Sequence, residues 1–500
     1  MDIQRLEKEL SQLLLELNAS EALINKLTLH VDEKYKLSAK NLLRYLILRS
    51  KDLRSYHGML SDLGISSLRS GEGYVYSNLY SVVRNIHLIQ NSPFEIDKNV
   101  DIIGYTNSMR LIKEHTAQLF NQGSKEKRAV IMVTLPDETA EDKELIQKMV
   151  AHGMKIARIN LGHGDESIWK KMVENIKSVE KETAQKIQIY IDLSGPKLRT
   201  SKIAHKSKDG KIKDKISIEV GEKIILHKAS ISFDTSFLKK HKKIVEVVLE
   251  QVVDETQIGD SLLFDDGMIK TKVIEKNNHY LVLKITECYK TKLGSYKGIN
   301  LPNTKLSLPA LTEQDMEVLP FACKYADIIG YSFVRNSEDV RQLYEALQKN
   351  NAKDVGIVFK IENKEAFENL PDILLKGMER NKIGVMIARG DLAVEIGFER
   401  ISEVQNQILW LCEAAHVPVI WATQVLDNLA KTGIPTRAEI SDAALSVKAE
   451  CVMLNKGPYI LETIKVLKDI LTRMEEHSFK KKDELRALNI AKRFVKKINS

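Results

Sequence analysis

Leucine recurs at helical spacing near the start of the chain, in RLEKELSQLLLELNASEALINKL and again in NLLRYLILRSKDLRSYHGMLSDLG, which closes on Gly64. Apolar residues at i, i+3 and i+4 predict amphipathic helices through about residue 90. SNLYSVVRNIHLIQ adds a shorter one, and NSPFEIDKNVDIIGYTNS reads as a connecting loop. Stripes of this kind are packing surfaces, turned toward the rest of the molecule or a second subunit. GEGYV, around Gly71 and Gly73, is too short to form a phosphate loop.

From residue 128 the period changes to short β-branched runs, each leading into a helical stretch. The runs are AVIMVT (129–134), KIARIN (155–160), IQIYIDL (187–193), ADIIGYSF (326–333), GIVFKIE (356–362), GVMIARG (384–390), PVIWATQ (418–424) and CVMLN (451–455). Eight strand–helix units predict a closed parallel barrel rather than an open sheet. About 130 residues separate the third run from the fourth, and there the chain turns to strands punctuated by Asp-Asp-Gly and Asn-Asn turns. The expected fold is therefore α/β. A (β/α)8 TIM barrel over 126–196 and 299–477 carries a small all-β lid domain (197–298) after its third strand. An N-terminal α-helical region (1–125) precedes the barrel, and a basic helical tail (478–500) follows it.

Composition narrows the class. Five hundred residues require more than one domain. A net charge of +8 suits anionic ligands, but the basic residues are spread along the chain and their densest run, in the tail, reads as a solvated helix face. Nucleic acid is not an expected partner. Four cysteines without zinc or redox spacing point to a reduced, cytoplasmic protein. The start lacks an apolar signal core, and no segment has the roughly 18 consecutive apolar residues of a membrane span.

The chemistry gathers at the C-terminal strand ends, where barrels of this kind place active groups. The second strand delivers Arg158 and Asn160, the third Asp192, the fourth Ser332, the fifth Lys360 and Glu362, the sixth Arg389 and Asp391, and the seventh Thr423. The i, i+2 pairs Arg158/Asn160 and Lys360/Glu362 point their members the same way. Charges turned into a barrel must meet one another, a metal or a ligand. A structural ion pair would account for any one of these residues, but not for the whole set. Glu362 and Asp391 suit Mg²⁺, Arg158 offers a fork for phosphate or carboxylate, and Lys360 is a point charge for a transferring phosphoryl group or an enolate. No Walker loop or dinucleotide fingerprint occurs.

These strand ends and their neighbours resemble pyruvate kinases. The similar segments include MKIARINLGHGD, IDLSGPKLRT, LLFDDGMI, LGSYKGINLP, YSFVRNSEDV, FKIENKEAFENL, VMIARGDLAVEI, ATQVLDNL and PTRAEISDAA, over about 128 to 475. The resemblance implies phosphoryl transfer from phosphoenolpyruvate to ADP with a catalytic Mg²⁺ (or Mn²⁺) on Glu362 and Asp391. It also implies that Lys360 stabilises the phosphoryl group and enolate, and that Arg158 grips the phosphate. The backbone at Ala388, Arg389, Gly390 and Asp391 would meet the substrate carboxylate, with Thr423 near the proton route and Ser332 on the substrate side. Asn160, His163 and Lys297 would make nucleotide contacts.

The departures carry information too. The family commonly has Ser where this chain has Gly162, and Thr-Lys-Gly-Pro-Glu where it has Leu193-Ser194-Gly195-Pro196-Lys197. Two side-chain oxygens of the family's potassium site are thus missing. Lys197, beside Asp192, is expected to stand in for the monovalent cation, so K⁺ is not expected to be required. Asn455-Lys456-Gly457-Pro458-Tyr459 replaces the family's Ser-Gly-Glu-Thr, and TLPDET shortens the first strand–helix loop. No C-terminal effector domain follows the barrel pattern, so the usual effector control is not expected. A homo-oligomer formed through the barrel or the N-terminal helices is the expected assembly. Two other readings stay open: a Mg²⁺-enolate barrel enzyme of C–C lyase or condensing type, and a degenerate metabolite-binding regulatory protein.

Overall fold

The computed structural model describes residues 2–96, 101–121, 129–201, 212–233 and 243–475, with isolated positions at 203, 205–206, 237, 241, 478–479 and 482–483. Eight parallel strands close into a barrel: β1 (Val130–Thr134), β2 (Met154–Asn160), β3 (Gln188–Asp192), β4 (Ile328–Tyr331), β5 (Gly356–Ile361), β6 (Ile383–Ala388), β7 (Val419–Ala422) and β8 (Cys451–Leu454). β8 pairs with β1 to complete the ring. β1, β3, β4, β5, β6, β7 and β8 are buried along their whole length, as expected of strands covered on both faces. The connecting helices start at side-chain caps. Asp165 accepts from the backbone of Ser167 and Ile168, Asn336 from Glu338 and Asp339, and Thr312/Asp315 and Thr436/Glu439 form reciprocal capping boxes.

The lid is a six-stranded sheet between β3 and β4, with its own core of Ile224, Leu226, Leu262, Phe264, Leu281 and Leu283 among others. Its hairpin Ser261–Phe264/Ile269–Lys276 turns through Asp265, Asp266 and Gly267, all at positive φ, so the Asp-Asp-Gly signal marks a real turn.

In the N-terminal region, α1 (Ile3–Ala19) buries Leu6, Leu10, Leu14 and Leu17 in one stripe and packs on α3 (Val75–Ile89). Each such leucine contributes roughly 1.5–3 kcal/mol of apolar burial. Between them, α2 (Lys36–Arg49) packs on the barrel helix Ile401–Ala414, and the Asn41 amide donates to Ala414 O at 2.8 Å. One expectation is corrected here. The segment read as a loop through residue 108 becomes helical at Tyr105, because α4 (Tyr105–Phe120) has its own buried stripe of Leu111, Ile112, Leu119 and Phe120. That helix ends at the barrel floor. Leu119 and Phe120 join the interior cluster of Met132, Ile156, Tyr190, Val358, Met386 and Ile420. Gly356 and Gly384, where β5 and β6 begin, make room for Leu119. A Cβ there would lie 2.7 and 2.6 Å from its methyl carbons.

The basic tail expected as a helix over 478–500 lies mostly outside the described residues; where described, Ser478–Phe479 pairs antiparallel with Lys482–Asp483 rather than forming a helix. No helix among the described residues is long and apolar enough to cross a membrane. The four cysteines are free.

Candidate active site

Side chains from five adjacent strands converge at the C-terminal mouth of the barrel. Arg158, on β2, sends Nε to Asp192 Oδ2 at 2.9 Å and Nη1 to Thr134 Oγ1 at 2.8 Å, and its Nη2 also pairs with Asp192 Oδ2. Lys360 Nζ, on β5, reaches Ser332 Oγ at 2.7 Å, Glu362 Oε1 at 3.1 Å and Asp192 Oδ2 at 3.3 Å. All five residues (Arg158, Asp192, Ser332, Lys360 and Glu362) are buried. The i, i+2 spacing does bring Lys360 and Glu362 to the same side of β5, as alternation requires.

Burial shapes their charge states. It pushes the Asp192 carboxyl up, but Arg158 and Lys360 outweigh it and leave the group below its ordinary range. Lys360 is raised despite burial, because Asp192 and Glu362 favour its charged form. Glu362 is raised, first by burial and then by the nearby Asp391 carboxylate, against the pull of Lys360.

Those two carboxylates fit a divalent cation. Glu362 Oε2 accepts Phe333 N–H at 2.7 Å, which fixes its plane. Asp391 sits in the first turn of α5 (Arg389–Ile396), and its carboxylate has no hydrogen-bond or ion-pair partner among the described residues. Both line one cavity of about 330 Å³ between the lid hinge and the β5–β6 end of the barrel. No group of three or more His, Cys, Asp or Glu side chains is arranged for a metal among the described residues. A cation held here would thus complete its shell with substrate and water oxygens.

After β7, Thr423 has φ 61, Gln424 55 and Leu426 50. A β-branched residue in the left-handed region is strained. Gly390 N–H donates to Thr423 Oγ1 at 2.9 Å, which leaves the threonine's own hydrogen free to donate. The Arg389 guanidinium turns away from the cavity. It pairs bidentately with Asp442, donates to Ala422 O at 3.0 Å and Thr423 O at 2.7 Å, and lies over Trp421. Arg389 therefore braces the β7 turn with its side chain and offers only backbone, beside Ala388, to a ligand. Asp442 was legible only as part of PTRAEISD, with no role attached.

The nucleotide-side residues are placed differently. His163 follows β2 at the rim, and its imidazole is lowered, chiefly by burial and then by Lys456 and Arg199. Asn160 Oδ1 accepts Gly162 N–H at 3.0 Å. Lys297, where the lid rejoins the barrel, pairs with lid residue Asp265 at 3.0 Å. Lys456, in the divergent segment after β8, stands 3.5 Å from Asp137 of the first strand–helix loop. Lys197 is exposed and has no hydrogen bond or ion pair from its side chain among the described residues. It is Arg158 and Lys360, not Lys197, that contact Asp192. Ser332 donates to Leu193 O at 2.6 Å while accepting from Lys360, so it holds the lysine rather than facing a ligand.

A family model described as the pyruvate kinase barrel domain matches residues 126–464. Among curated relatives, a pyruvate kinase of Clostridium perfringens is 31% identical over 346 residues, 67% of this chain and 68% of that protein. One of Dictyostelium discoideum is 32% identical over 360 residues, 70% of this chain and 66% of the relative. A Staphylococcus aureus pyruvate kinase is 32% identical over 343 residues, 67% of this chain but 55% of its own length. The chain thus spans between just over half and about two thirds of these relatives.

Proposed function

Since the chain belongs to the pyruvate kinase family of enzymes, we propose that it transfers the phosphoryl group of phosphoenolpyruvate to ADP, giving pyruvate and ATP. The observation that carries the reading is Lys360 Nζ, charged and buried, held by Ser332, Asp192 and Glu362 and backed by Arg158. Arg158 binds the phosphate through the guanidinium edge that Asp192 and Thr134 leave free. Lys360 stabilises charge on the transferring phosphoryl and then on the enolate oxygen. The Ala388–Asp391 backbone, at a helix N-terminus, receives the substrate carboxylate. Thr423, with a free hydroxyl hydrogen, lies on the path of the proton that converts enolpyruvate to pyruvate.

Glu362 and Asp391 would hold Mg²⁺ or Mn²⁺, whose chemistry there would be Lewis-acid neutralisation of the substrate's negative charge. Asn160, His163 and Lys297 make the nucleotide end of the site, with the lid's hinge supplying the last of these. K⁺ is not required on this reading. Gly162 and Leu193 offer no side-chain oxygen, Asn160 Oδ1 is engaged by Gly162, and Asp192 Oδ2 already takes two cationic side chains. Lys197 adds a further positive charge at the rim.

A coupled assay of pyruvate formation from phosphoenolpyruvate and ADP, run with and without K⁺ at constant ionic strength, tests both parts. Turnover with Mg²⁺ that K⁺ leaves within about twofold is the expected result. A many-fold rise on adding K⁺ would remove the potassium claim. An inactive protein that still binds phosphoenolpyruvate would favour a metabolite-binding regulatory role.

A further inference from the structure

Asp192 presents an asymmetry that the reaction scheme leaves unexplained. Its Oδ2 takes Arg158 Nε, Arg158 Nη2 and Lys360 Nζ, whereas Oδ1 is buried with no donor in regular hydrogen-bond geometry among the described residues. A buried carboxylate oxygen left without a donor is destabilising. The Tyr190 hydroxyl is buried too and has no hydrogen-bond partner of regular geometry among the described residues. Tyr190 precedes Asp192 by two residues on β3, so both side chains enter the barrel on the same side. The tyrosine ring belongs to the interior cluster above Leu119, and its hydroxyl points up toward the charged layer.

Gly330 completes the arrangement. It pairs with Asp192 in the β3–β4 register. A Cβ on Gly330 would fall 2.1 Å from the Tyr190 hydroxyl and 2.1 Å from Asp192 Oδ1. Hydroxyl and carboxylate oxygen therefore share the space that a side chain on β4 would fill. Only glycine leaves that space open.

We propose that Tyr190 is a positioning residue that donates its hydroxyl hydrogen to Asp192 Oδ1, and that Gly330 is the cradle for this contact. The pair locks the carboxylate plane, so that Oδ2 alone faces Arg158 and Lys360 and both cations keep their aim at the phosphoryl group. Burial and the adjacent carboxylate raise the phenol well above its ordinary value, so it stays protonated and able to donate. The inference deepens the phosphotransferase reading and rests on it for its kinetic consequence, but not for its geometry.

Two measurements test it. In Tyr190→Phe, which keeps the ring and removes only the hydroxyl, kcat should fall about 10- to 100-fold, the equivalent of one hydrogen bond to a charged group. KM for phosphoenolpyruvate should move less than about threefold, since the loss concerns aim rather than ground-state binding. A packing role alone would leave kcat unchanged, and that result would overturn the proposal. A crystal structure of the unaltered chain gives a readout independent of activity. A Tyr190 hydroxyl–Asp192 Oδ1 separation within about 3.0 Å supports the bond, and one beyond about 3.5 Å refutes it. Wild-type protein without turnover would count against the phosphotransferase reading, while the crystallographic distance would still decide this one.

Discussion

The two sides of the barrel mouth follow different physical rules. From β2 through β5 the functional groups are buried, interlocked and over-determined: Arg158, Asp192, Ser332, Lys360 and Glu362 each touch at least one other member of the set. Around β8, β1 and the loop after β2 they are exposed and loosely paired, with Lys456 half exposed at 3.5 Å from Asp137 and His163 at the rim. The first side has little freedom to change, because removing one partner strands a buried charge. The second can be rebuilt residue by residue at small cost. Of the departures from the family pattern, those at Gly162 and at Asn455–Tyr459 fall on that second side or at its border, while Leu193–Lys197 follows β3 on the first but leaves the buried Arg158, Asp192 and Lys360 set in place. On the proposed reading, the nucleotide end is the more adjustable half of the chemistry.

The sharpest way to break this contrast is Lys360→Met. Turnover should fall about a thousandfold with phosphoenolpyruvate still bound, as a coupled assay beside calorimetric binding would show. Substantial residual activity would mean that the buried side is not where charge is stabilised. Glu362→Ala and Asp391→Ala come next. Each should reduce metal-dependent turnover by more than the roughly 10- to 100-fold lost with an outer-shell partner, with weaker Mn²⁺ binding by electron paramagnetic resonance. On the exposed side, Lys456→Ala should raise KM for ADP only about two- to fivefold, the range of an exposed charge contact, and leave kcat and the phosphoenolpyruvate KM in place. A kcat collapse in that variant would erase the distinction between the two sides.

The smallest expected effect lies at the lid hinge. Burial raises Glu395 to about 7, and its Oε1 accepts from Asn300 at 3.2 Å. A carboxyl whose folded value lies above its unfolded one favours the fold fully below about pH 4.3 and progressively less as pH rises toward 7. Glu395→Gln should flatten that part of the thermal stability profile while changing turnover little. An unchanged slope would remove Glu395 from the account.

Most of the buried side was legible in the sequence, because a barrel strand writes its mouth residues at its C-terminal end and alternation tells which of them point inward. Arg158, Lys360 and Glu362 could be picked out on that ground. The bracing contacts could not. Arg389 and Asp442 are 53 positions apart, and nothing in either segment says that the guanidinium turns to the β7 side. Tyr190 looks like one more aromatic in a β-branched run, and Gly330 like a weak spot in another, until β3 and β4 are laid side by side. The family pattern implies Lys197 as the stand-in for the monovalent cation; its side chain lies exposed beyond the turn at Gly195, with φ 65, and Asp192 takes Arg158 and Lys360 instead. The start of α4 was missed for a related reason, since its apolar stripe follows a polar stretch that reads as loop.

Leu119, seated against the glycines that open β5 and β6, bears on what counts as one piece of this molecule. The match to the pyruvate kinase barrel domain begins at residue 126, just downstream of that side chain. A fragment starting at residue 126 would retain every barrel strand and every reactive group, yet its floor would lose Leu119 and Phe120 from a close-packed interior. Losing buried side chains of that size costs about 2–5 kcal/mol each, against a net stability of only about 5–15 kcal/mol for a typical domain. Such a fragment should be isolated as aggregate or molten protein. The part that the barrel family model matches is therefore smaller than the part that folds.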